Sequence, residues 1–145
     1  MVRFISSRDT LDLRSKILRN GLPLEDCIFP TDEIEGAFHL GCFVDGKLVS
    51  VASFFPNHYK DRKTLGYQLR GMATAKEFAG KGYGSHLVDF AVIQLNATKA
   101  SYLWCNARTS AIEFYKKKGF ELSSEEFEIE GVGPHFEMIK NLTKV

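Results

Sequence analysis

Between Tyr67 and Ala91 the chain reads YQLRGMATAKEFAGKGYGSHLVDFA. An apolar, β-like run ends in a cluster of glycines, and the cluster opens directly into an amphipathic segment. In SHLVDFAVIQLNATK, Leu87, Phe90, Ala91 and Leu95 recur at helical spacing, and Val88 and Val92 widen the stripe. A strand, a glycine turn and a helix in immediate succession make a βα crossover, which places the chain among α/β folds. Glycines at such a junction serve either as a tight turn or as a phosphate cradle, because backbone N–H groups there face the positive end of the helix dipole.

The flanks fit the same architecture. VRFIS reads as a first strand, and RDTLDLRSKILRNGLP as a helix with Leu13, Ile17 and Leu18 on one face, stopped at Gly21 and Pro23. LEDCIFPTDEIEG is a loop or a short second helix. AFHLGCFVDGKLVSVASFF is two strands around the hairpin signal Asp45-Gly46, and PNHYKDRKT is a charged loop. LGYQLRGMAT is the fourth strand, and ASYLWCNA, compact and mostly apolar, reads as a strand buried on both faces. TSAIEFYKKKGF is a short helix ended by Gly119, and FELSSEEFEIEG pairs with PHFEMIKNL as a terminal antiparallel arm. The expected order is β-α-(α)-β-β-β-α-β-α-β-β, a single mixed-sheet domain over residues 1–145.

Composition narrows the function classes. With 44% hydrophobic and 26% charged residues the chain is globular, and 145 residues make one core. A net charge of +1 supplies no field for nucleic acid or an anionic membrane. No apolar run reaches the roughly 18–20 residues that cross a bilayer, and MVRFISSRDTLDLRSK turns charged too early for a secretory segment. Cys27, Cys42 and Cys105 are odd in number and lack a CxxC pair, so reduced thiols in a cytoplasmic protein and no metal are expected.

Two familiar phosphate motifs do not fit the glycine cluster. A P-loop needs a Gly-Lys-Ser/Thr, which is absent. A dinucleotide fingerprint needs Gly or Ala where Ser85 stands, and it belongs on the first βα turn rather than after the fourth strand. Two readings remain open: a plain tight turn, the commoner use of such glycines, or a loop of backbone donors from about Gly80 to Ser85, suited to a pyrophosphate.

Four stretches together resemble the GNAT superfamily of N-acetyltransferases. AGKGYG, residues 79–84, matches its [QR]-x-x-G-x-[GA] motif, with Ala79 where Arg or Gln is usual. NARTSAIEFYKKKGFE resembles its Asn…Ala…Phe-Tyr-x-x-x-Gly-Phe segment, and HLGCFVDGKLVSVASFFP its second and third strands. The ending GPHFEMIK is similar to that of a group of small bacterial members of unassigned substrate.

The resemblance implies transfer of an acetyl or other short acyl group from acyl-CoA to an amine of a small molecule or protein, by direct attack in a ternary complex. It implies that Met72, Ala73 and Thr74 hold the pantetheine arm like an added strand and that a nearby N–H polarises the thioester. Ala79, Gly80, Lys81, Gly82, Tyr83, Gly84 and Ser85 then take the pyrophosphate, with Ala79 offering only its backbone. Asn106 hydrogen-bonds the pantetheine, and Tyr115 donates a proton to the departing sulfur.

For the general base, the fourth strand offers no carboxylate. His39 and His135 are each a base or a structural histidine, and Arg70 either meets an acidic group of the substrate or lies on the sheet surface. The alternative function is a non-catalytic module that senses acyl-CoA. The acceptor, its two loops and the oligomeric state are not encoded recognisably, although GNAT proteins are often dimers.

Overall fold

The computed structural model describes residues 1–143. The chain packs as two compact units interleaved in sequence: Met1–Pro56 with Arg70–Ala91, and Asn57–Leu69 with the chain from Val92 onward. Strand β4 (Gly66–Thr74) and helix α2 (Tyr83–Asn96) contribute to both.

In the first unit, β1 (Val2–Ile5), β2 (Phe38–Val44) and β3 (Lys47–Pro56) run antiparallel and β4 follows. Asp45 and Gly46 join β2 to β3 with φ of 49° and 79°, the two positive values a twist-matched hairpin turn requires. Helix α1 (Ser7–Leu13) starts at a capping box: the Ser6 hydroxyl takes the Asp9 N–H and the Asp9 carboxylate takes the Ser6 N–H. It runs into a π turn at Arg14–Leu18, and Gly21 at φ 81° lets the chain leave. Leu13, Val51, Ala73 and Ala75 form a buried cluster against which Ile17, Leu48 and Phe78 pack.

The second unit has strand order β4, β5 (Tyr102–Arg108), β8 (Gly133–Asn141), β6 (Glu121–Leu122), with β7 (Phe127–Ile129) also on β8. The β4–β5 ladder is parallel, from Gly66 opposite Tyr102 to Leu69 opposite Cys105. Buried Tyr102, Leu103, Trp104 and Cys105 bear out the reading of β5 as an interior strand. Helix α3 (Ile112–Lys117) follows a 3-10 turn and ends at Gly119, φ 91°.

The mixed α/β sheet with few helices is as expected, and the segment after α1 falls within its expected range of loop or short helix. It holds only a 3-10 turn, Leu24–Cys27, because Pro23 and Pro30 bracket it. Two details differ from expectation. The first strand of the terminal arm is split into β6 and β7: the Glu137 N–H bonds the Ser124 hydroxyl, so a side chain takes the place of a ladder acceptor. Finally, α2 begins at Tyr83, which puts Tyr83, Gly84 and Ser85 in the first helical turn rather than in the loop.

Candidate functional site

The glycine junction is built from the first unit's core outward. The Ala75 N–H bonds the Val49 carbonyl at 2.8 Å, tying the end of β4 to β3. A 3-10 turn over Lys76–Phe78 then seats the Phe78 ring against the Leu13–Ala75 cluster. Lys81 lies over that ring at 5.8 Å and Tyr83 meets it edge-on at 6.0 Å. Phe78 is therefore the anchor of the loop, a role its place outside the glycine motif concealed.

Gly80 and Gly82 sit at φ 76° and 89°, where L side chains are strained, and a Cβ on either would meet nothing within 4 Å. Their bare faces thus look onto open space. The first helical bond of α2 runs from the His86 N–H to the Gly82 carbonyl at 3.1 Å. The N–H groups of Tyr83 and Gly84, ahead of it, have no intrahelical acceptor. Left-handed glycines, open space and helix-end donors are what an oxyanion cradle needs. Ala79 is exposed and extended, its N–H on the Lys76 carbonyl.

Along β4, Ala73 is buried in the core cluster, Met72 is half-buried, and the Thr74 hydroxyl pairs with that of Ser50 at 2.7 Å. Gly71 bends β4 locally with φ 66°, and a Cβ there would lie 2.9 Å from Phe29 Cε2 and 3.2 Å from Arg14 Nε. Behind that bend lies a polar network. Fully buried Arg14 donates through both Nη atoms to the Asp32 carboxylate at 2.8 Å, and also to the Cys27 carbonyl and the Ser53 hydroxyl. His39 is locked into the same network: Nε2–H donates to the Asp32 carbonyl at 2.9 Å and Nδ1 accepts from Ser53 at 2.7 Å. Arg70 is half-buried with its guanidinium over the Phe29 ring at 4.3 Å.

In the second unit, Asn106 is an exposed position on β5 opposite Glu137. Tyr115 is buried, edge-on to Phe114 and Phe120, with its hydroxyl paired to the Cys105 thiol. Burial, then the Cys105 thiol, holds the Tyr115 hydroxyl well above its ordinary value, and burial likewise pushes up the Cys105 thiol. His135 is buried where β8 begins, its Nδ1–H donating to the Gly133 carbonyl at 2.8 Å.

A family model described as an acetyltransferase (GNAT) domain matches residues 30–142. The chain is 39% identical over 142 residues to the uncharacterized N-acetyltransferase YitI of Bacillus subtilis strain 168, covering 97% of this chain and 95% of that one. The chain belongs to the GNAT acetyltransferase family.

Solved GNAT structures share its fold at low identity. Escherichia coli ElaA superposes with a TM-score of 0.74 at 18% identity, covering 97% of this chain and 99% of that one. An aminoglycoside 6'-N-acetyltransferase complexed with coenzyme A gives 0.72 at 13%, covering 100% and 98%. The sequence pointed to the glycine junction, Asn106 and Tyr115 as candidates. It gave no sign of the Arg14–Asp32–Ser53–His39 network or, beyond an isolated glycine inside a strand pattern, of the left-handed backbone at Gly71.

Among the described residues no cluster of His, Cys, Asp or Glu is arranged to hold a metal ion, and no helix is long and apolar enough to cross a membrane.

Proposed function

We propose that this GNAT acetyltransferase moves an acetyl or short acyl group from acyl-CoA directly to an amine, without an acyl-enzyme stage. The observation that carries the reading is the pair of left-handed glycines, Gly80 and Gly82, open to solvent at the start of α2. They fit a diphosphate, which takes hydrogen bonds from close-packed backbone donors and is favoured at a helix N-terminus. Acyl-CoA supplies the activated carbonyl. The chain supplies the rest: Ala79–Ser85 bind the diphosphate, Met72–Thr74 and Asn106 orient the pantetheine arm, and a β4 N–H polarises the carbonyl.

Tyr115 is the proton donor to the departing sulfur. Its raised affinity for the proton keeps it protonated at neutral pH, as an acid must be before it donates. The two histidines differ as base candidates. Both ring nitrogens of His39 are engaged, so it organises the network, whereas His135 donates from Nδ1 and keeps the Nε2 lone pair for a proton. The three cysteines are free and buried, which fits a reducing, cytoplasmic setting.

The second reading, an acyl-CoA sensor without turnover, is favoured by Ala79, whose methyl group offers the cradle no side-chain contact. Release of free thiol from acetyl-CoA across an amine panel tests the two. Amine-dependent release slowed in Tyr115→Phe supports the transferase. Tight acetyl-CoA binding with no release for any amine supports the sensor.

A further inference from the structure

Arg70 is a half-buried arginine with no direct ion pair to any described residue. Its guanidinium lies over the Phe29 ring at 4.3 Å, and no carboxylate among the described residues is within ion-pair distance. The nearby Asp32 is already engaged: it takes both Nη atoms of Arg14 at 2.8 Å and the Phe29 N–H at 2.9 Å. Arg14 lies over the same Phe29 ring at 3.7 Å, so two guanidinium groups share one aromatic face partner and one carboxylate. Burial, then the charges of Arg19 and Arg14, work against the charged form of Arg70, and Asp32 acts in the other direction. The neighbourhood thus carries surplus positive charge around one free, planar, five-donor fork.

We infer that Arg70 binds the carboxylate of the acceptor, so that the amine acetylated belongs to an amino carboxylic acid. The inference rests on the transferase reading above and adds its substrate class. Arg70 stands two residues before Met72 on β4, roughly 7 Å or less along the strand. That is the reach of a small amino acid whose nitrogen attacks beside Met72–Thr74 while its carboxylate holds the guanidinium. A single fork suits a planar monoanion taken in two parallel hydrogen bonds. A phosphate dianion calls for more donors, and the one Arg14 donor without a partner, its Nε–H, is buried.

The test compares the twenty common amino acids, their carboxamides and O-phosphoethanolamine as acceptors, by thiol release from acetyl-CoA, in the wild type, Arg70→Gln and Arg70→Lys. One or more acids should exceed the matching amide by tenfold or more in kcat/KM. Arg70→Gln should erase that difference, chiefly by raising KM for the acid, and Arg70→Lys should restore part of it. Amides accepted as well as acids, preference for O-phosphoethanolamine, or equal losses for acid and amide in Arg70→Gln would each overturn the inference.

A second readout does not need turnover: the Arg70 side-chain Nε–H resonance, titrated with the pooled amino acids and separately with the pooled carboxamides. A shift with the acids alone supports the carboxylate site, even if no acceptor is acetylated and the transferase reading fails. No shift with the acids, in a protein that also turns over none of them, refutes the site.

Discussion

Arg14 and Asp32 meet through two parallel hydrogen bonds of 2.8 Å, and both side chains are withdrawn from solvent. They lie 18 residues apart in sequence, one on the π turn that extends α1 and one in the loop before β2. The pair fixes the loop around Phe29 against β3 through Ser53, and so shapes the surroundings of Arg70. Removing one partner leaves the other buried and uncompensated, which typically costs about 3–5 kcal/mol. Asp32→Ala is therefore expected to lower the urea midpoint far more than Asp12→Ala, whose partner Lys16 is exposed. Equal midpoints would show that the buried pair does not support the fold.

The same pair predicts an acid limb. Burial alone would raise the Asp32 value, but the Arg14 hydrogen bond, the Phe29 N–H and the Arg14 charge together outweigh it and hold it below the usual 3.8. A carboxyl with a depressed folded value stabilises fully above its unfolded value and loses that contribution as pH falls through the folded one. The contribution of Asp32 to the urea midpoint should be constant with pH near neutrality and should be lost below about pH 4. In Asp32→Asn the baseline is lower and that part of the fall is absent; an acid limb identical to wild type would contradict the assignment.

Gly71→Ala is expected to destabilise by at least ~1–2 kcal/mol for the left-handed backbone alone. Crowding adds to this, since the new methyl would press on Phe29 at 2.9 Å. Thermal melting of the variant against wild type measures the loss. An unchanged melting temperature would mean that β4 is not bent as described.

The thiols provide a reactivity test. Cys27, Cys42 and Cys105 are all free and buried, and Cys105 is held protonated by its apolar surroundings. Ellman's reagent should find almost no thiol in the native protein and three in guanidinium chloride. Rapid reaction of Cys105 in the native state would contradict its packing beneath Tyr115.

Tyr115→Phe removes only the hydroxyl, and the ring contacts with Phe114 and Phe120 remain. The account expects kcat to fall by roughly 10²–10⁴, the ordinary range of general acid catalysis, with acetyl-CoA affinity nearly unchanged. A parallel loss of affinity and melting temperature would instead make the Cys105 contact structural and the hydroxyl catalytically idle.

Local chemistry made much of this fold legible. Asp45-Gly46 has one favourable hairpin, Gly119 stops α3 and the apolar run of β5 has only an interior to occupy, so each element follows from residues a few positions apart. The glycine turn ahead of α2 was legible for the same reason, as three glycines within five residues. The Arg14–Asp32 pair and the Phe78 anchor are products of tertiary packing, joining residues that no short motif links. The Tyr115–Cys105 contact likewise joins a helix to a strand, and only the fold shows that the hydroxyl meets a thiol. The arm before β8 was misjudged because its polar Ser123–Glu126 stretch reads as strand by alternation, while Ser124 bonds the backbone instead.

The central claim is that Gly80–Ser85 cradles acyl-CoA, and calorimetric titration with acetyl-CoA tests it most directly. Wild type is compared with Gly82→Trp, whose side chain would enter open space rather than the core, with melting temperatures confirming that both are folded. The account predicts micromolar binding by wild type and loss of at least tenfold in affinity in the variant. Absence of binding by the folded wild type, or equal binding by both proteins, would contradict it.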